Sequence, residues 1–153
     1  MARPPPDKPA RDPVAKFFIE EVDPTVREFL ADPGDLRRGR LATLMLVHMA
    51  DHYWHGCPQN RSRATNTASF RAFLGRQHEA FWILCEAAAA SRHALLRLGA
   101  PDVPGLAAGC ARTDVCPVVV VAWDKGEVRP LDQQVKRVHA VWTGMLGLTL
   151  PPL

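Results

Sequence analysis

The chain has 153 residues, 47% hydrophobic and 23% charged, with a net charge of +3. That is the size and balance of one globular domain, able to bury ~70% of its unfolded surface, and its charge is too mild to argue for nucleic acid by itself. No apolar run approaches the ~18 residues of a membrane span, and the opening residues lack the apolar stretch of a signal peptide. A cytoplasmic protein with no membrane contact is expected, its four cysteines reduced.

Residues 1–13 are Pro-rich and charged and predict a disordered tail, followed by a single domain over 14–150. The first helix is expected over 14–31, where Phe18, Val22, Val26 and Phe29 recur at helical spacing. Pro24 in its middle predicts a kink, or a second helix capped by Asp23. Ala31 to Gly34 (ADPG) is a turn. A second helix runs from Asp35, a good N-cap, to Gly56, with Pro58 beyond as a stop. On it Leu41, Leu44, Met45, His48, His52 and His55 share one side, with Asp51 at the edge, and predict a core-facing stripe that turns from leucine to histidine.

After a polar loop, a third helical region is expected over 68–98, broken near Gly75 to His78 into pieces at 68–76 and 79–98. On the longer piece Phe81, Leu84, Cys85, Ala88, Leu95 and Leu96 share a face, with Arg92 in its middle and His93 beside it. Residues 99–115 read as a loop, and CPVVVVAW, DKGE and VRPL as strand, turn and strand. The last helix starts at Asp132 and turns Val135, Val138, His139, Trp142, Met145 and Leu146 inward. The expected fold is mainly α, a bundle of about four to five helices with a C-terminal β-hairpin before the last helix.

Three groups of residues carry candidate chemistry. His48, His52 and His55 lie at spacings that let one helix offer imidazoles to a divalent metal, with Asp51 to orient a ring. Arg92 on an apolar face needs a partner such as Asp51, or an anion. With His48, His52 or His93 as base it would suit phosphodiester cleavage, and His139 lies on an inward face as a further binding residue. Arg37 and Arg40 open the second helix, where positive charge is electrostatically unfavourable, and so predict an outside anion as partner.

The order of ADPG at 31–34, HMAD at 48–51, Arg92-His93 and WDKGEV at 123–128 resembles a group of small bacterial helical proteins of similar length. Arg71 to His78 (RAFLGRQH) is similar to the motif of HEPN domains, helical bundles of bacterial defence and toxin–antitoxin systems. That resemblance implies RNA binding or cleavage without a metal, at a site where two protomers meet. His48 is similar to the first metal ligand of DinB-like four-helix bundles, which implies a divalent metal, with His93 and His139 to complete the set. The leading expectation is therefore a HEPN-like protein without cofactor, binding RNA or another phosphate ligand as a homodimer. A metal-binding bundle using His48, His52 and His55 is the alternative, and a non-catalytic homodimeric interaction protein is the third.

Overall fold

A computed structural model describes residues 12–57, 64–90, 94–99, 118–123 and 127–153. Most of the tail expected over 1–13 lies outside these residues; its end does not, because Asp12 caps the first helix through the Val14 N–H at 3.0 Å. Helix α1 (Pro13–Phe17) passes through a widened π turn (Phe18–Val22) into α2 (Asp23–Ala31). The turn explains how Pro24 is carried without a break. Proline has no N–H and its ring collides with the carbonyl four residues back, and a π turn spreads those carbonyls. Asp23 is accordingly helical rather than a cap, its N–H reaching back to the Phe18 carbonyl.

Helix α3 (Leu36–Gly56) begins as expected, with the Asp35 carboxylate accepting from the Arg38 N–H at 3.0 Å. That bond is the main reason the Asp35 carboxyl is held below its ordinary range. The break in the third region also stands: α4 (Thr67–Gln77) and α5 (Glu79–Ala88) are separated by His78 in extended conformation. Asn66 and Ser69 form a reciprocal capping box at the start of α4.

Helix α5 is shorter than its pattern predicts. It ends at Ala88, and Ala90 takes a left-handed φ of 46°, a conformation that costs a non-glycine residue ~1 kcal/mol or more. Residues 94–98, expected as helix, form strand β1 (Ala94–Gly99) together with Gly99. It pairs antiparallel with β2 (Val118–Trp123), which pairs in turn with β3 (Val128–Pro130). The expected hairpin is thus the far part of a three-stranded sheet in the order β1-β2-β3. Leu95, Leu96 and Leu98 with Arg97 favour helix locally, but pairing with the valines of β2 overrides that preference. The Val119 N–H also donates to the Pro33 carbonyl at 2.8 Å, tying the sheet to the turn before α3.

The final helix α6 (Leu131–Met145) buries Val135, Val138, His139 and Trp142, as its spacing predicts, and also Leu131, one residue ahead of its expected start. Trp142 is the centre of the core: it is fully buried, its ring meets Tyr53 and Phe81, and its indole N–H donates to the Leu46 carbonyl of α3 at 3.0 Å. The fold is mainly α, with the small sheet before the last helix. None of the described helices is long and apolar enough to cross a membrane.

Replacing Trp142 with Ala is expected to cost about 3–5 kcal/mol, and Trp142→Phe about 1 kcal/mol through loss of the indole hydrogen bond. Denaturant unfolding checks both. A cost below 1 kcal/mol for the alanine variant contradicts this core.

Candidate functional site

Helix α3 sets the site, and it faces the other way from the expected stripe. The residues it buries are Gly39, Ala42, Thr43, Leu46, Val47, Met49 and Ala50. At ~100° per residue these point roughly opposite to Leu41, Leu44, His48, His52 and His55, all of which are exposed. The predicted stripe exists, but it is an outward one. Small residues decide the rotation. A Cβ on Gly39 would lie 3.0 Å from Leu131 and 3.1 Å from Phe29, so the smooth side of the helix is the one that neighbours approach closely.

The exposed histidines do not converge. His52 stacks on Phe17 with ring centres 3.9 Å apart. His55 meets the edge of Trp54 and, with Asp51, His52, Pro13, Val14 and Gly56, borders an open cavity of about 390 Å³. Among the described residues no three His, Cys, Asp or Glu side chains form a group that could hold a metal ion. The metal set of His48, His52 and His55 is therefore not assembled among the described residues: residues seven apart on a straight helix are two turns apart, and no described neighbouring element brings a closing ligand.

His48 is placed differently. It borders a cavity of about 190 Å³ with Arg71 of α4, Cys85 of α5, Leu44, Val47, Ala88 and Ala89. Arg71 is held there by Asp51, whose Oδ2 accepts from the guanidinium Nη2. The pair joins α3 to α4, each side chain about one-third exposed. Asp51 Oδ1 and Arg71 Nε are buried with no hydrogen-bond partner among the described residues, so the pair retains polar capacity on both sides. The expected partner of Asp51 was Arg92; the structure gives it Arg71, and Arg92 and His93 lie outside the described residues. Burial, ahead of all charges, pushes the Cys85 thiol up to about 11, with Arg71 pulling the other way. It is a neutral thiol at physiological pH, not a nucleophile.

The small cavity shares Leu44 and Ala88 with a larger groove of about 380 Å³ lined by Arg40, Thr43, Ala87, Ala90, Leu95 and Leu96. Arg38 takes the local carboxylates, Asp32 at 3.9 Å and Asp35 at 3.4 Å, while Arg37 and Arg40 stand exposed. Arg40 thus edges the groove. Arg71 was visible in the sequence only as the arginine of the HEPN-like spacing, and Cys85 only as a core residue. An orphan carboxylate on α3 was the signal that an arginine would come to it.

His139 belongs to a separate buried network and not with the other histidines. Its Nε2 lies 2.8 Å from Asp23 Oδ1, and Arg27 donates to Asp23 Oδ2 at 2.9 Å. Arg27 also donates to the carbonyls of Pro151 at 2.7 Å and Pro152 at 3.2 Å, fastening the C-terminal segment to α2. The Thr143 hydroxyl donates to the His139 carbonyl at 2.8 Å, so it serves the helix. Burial lowers the His139 pKa below its ordinary 6.5 although Asp23 pulls it up. Its role is structural.

Comparisons with protein-family models, with curated proteins and with solved structures each returned no match.

Because the folded-state pKa of His139 is depressed, the unfolded chain binds that proton more readily, and stability falls as pH drops below 6.5 towards the folded value. The melting temperature is expected to decline between about pH 7 and pH 5, and His139→Gln to flatten that decline. Thermal unfolding across pH checks it. An equal decline in the variant contradicts the assignment.

Proposed function

We propose that the protein is a HEPN-like helical protein that binds RNA, receiving a backbone phosphate between Arg71 and His48. One observation carries this reading: a fixed guanidinium and an exposed imidazole border the same small cavity. Asp51 holds one end of the Arg71 fork, so the group is oriented before any ligand arrives, and its remaining donors suit a phosphate oxygen. His48, when neutral, is the base available to accept a proton from a ribose 2′-hydroxyl. Arg40 on the adjoining groove and the exposed Arg37 extend positive charge along α3 for flanking phosphates. Such contacts supply affinity without sequence readout, and they make binding fall with salt.

Fluorescence anisotropy with a short labelled single-stranded RNA tests the proposal. Arg71→Gln is expected to weaken binding about tenfold or more, the size of one charge-assisted hydrogen bond, and to lower the log–log salt slope by about one. His48→Asn is expected to keep affinity and to abolish any cleavage the wild type shows. Wild-type protein that does not bind RNA, or an Arg71→Gln variant that melts like the wild type and binds as tightly, contradicts the reading.

A further inference from the structure

The two cavities that share a wall at Leu44 and Ala88 differ in size and in chemistry. The one between Arg71 and His48 measures about 190 Å³, below the ~300–1,000 Å³ that holds a small organic ligand. It has room for a phosphate and little else. The adjoining groove, at about 380 Å³, falls within that range. Ala87 and Ala88 line it with little relief, and Leu44 of α3 faces Leu95 and Leu96 of β1 across it. Leu44 is 41% and Leu95 55% exposed, so each has aliphatic surface to offer. A smooth apolar groove of this width suits a flat ring.

Its polar side chains are Arg40 and Thr43. The Thr43 hydroxyl donates to the Gly39 carbonyl at 2.8 Å, and the residue is 1% exposed. Arg40 is exposed, and no hydrogen bond or ion pair engages it among the described residues, because Arg38 takes Asp32 and Asp35. Through its described side chains the groove therefore presents a planar fork of donors and no free acceptor. Arg40, Leu44 and His48 follow at four-residue steps on α3, so they form one row that rises ~6 Å per step. From end to end the row spans ~12 Å, comparable with one nucleotide from its phosphate to the far edge of its base.

We propose that this groove is the base-binding half of the site and that Arg40 selects guanine, in a single-stranded RNA whose phosphate sits between Arg71 and His48. The inference rests on the phosphate reading above and adds to it the base and the state of the strand. Guanine presents two adjacent acceptors, O6 and N7, which a guanidinium meets with parallel hydrogen bonds. Adenine carries an amino donor in place of O6, so the fork keeps one bond and sets donor against donor. A pyrimidine, with its single ring, leaves more of the groove unfilled and forfeits those contacts. A base inside a duplex cannot enter. Its faces are stacked, and the A-form major groove is too deep and narrow for a side chain to read. In a loop or an unpaired strand the ring is free to lie between Leu44 and Leu95 with its edge towards Arg40. Arg37 then remains for a flanking phosphate.

Fluorescence anisotropy with labelled oligouridines that carry one central guanosine, adenosine or abasic ribose tests the inference. The wild type is expected to bind the guanosine RNA about tenfold more tightly than the adenosine RNA, and the abasic RNA most weakly. Annealing the guanosine RNA to its complement is expected to remove that advantage. Arg40→Met is expected to level guanosine with adenosine and to leave the abasic RNA within about twofold of wild type. Leu95→Ala is expected to weaken both base-bearing RNAs about threefold and to spare the abasic one. Both variants change exposed positions and should melt like the wild type. Equal binding of all three RNAs by the wild type overturns the inference and leaves the phosphate reading standing, whereas binding to none of them overturns both. An Arg40→Met variant that weakens all three by the same factor also overturns it, because Arg40 then serves phosphate alone.

Discussion

The approach of α6 and its neighbours to the smooth side of α3 is the constraint from which the rest follows. Gly39, Ala42, Thr43 and Ala50 give that side little relief, and Trp142 packs there with its indole N–H on the Leu46 carbonyl. A buried indole without a partner would forfeit ~1–3 kcal/mol, so the hydrogen bond fixes the angle of α3 as well as its distance. Once Leu46 and Met49 point inward, Leu41, Leu44, His48, His52 and His55 have only the outside to occupy. The candidate site, the apolar groove and the scattered histidines are all consequences of that one rotation.

Along the outward side the chemistry changes from leucine to imidazole. The apolar end lies beside the β1 edge, and the polar end meets the Asp51–Arg71 pair from α4. Leu44 and Ala88 belong to both cavities.

Much of this fold was legible in the sequence. The Asp35 cap, the break at His78, the valine strand and the inward face of α6 each followed from short-range chemistry: a side chain able to accept a backbone N–H, a β-branched run, or spacing at 3.6 residues. The rotation of α3 was not legible, because the helix is apolar on more than one side. Leu41, Leu44 and Met45 outweigh Ala42 and Ala50 in hydrophobicity, yet a core selects shape as well as apolarity, and alanine and glycine admit neighbours that leucine excludes. β1 was hidden for a related reason. Leucine and arginine are good helix formers, and only the distant Val118 to Trp123 makes residues 94–99 a strand. The Asp51–Arg71 pair shows the same limit. Twenty residues separate the two side chains, and the spacing that names each as a candidate says nothing about which partner tertiary packing will bring.

Histidine-selective acylation with diethyl pyrocarbonate, read by peptide mass spectrometry on dilute native protein, tests the rotation of α3 most directly. Rapid modification of His48 and His55, with His139 protected until the protein unfolds, is the predicted pattern. Protection of His48 and His55 together, at the level of His139, would mean that the leucine–histidine side of α3 faces the core, and the outward site would not exist.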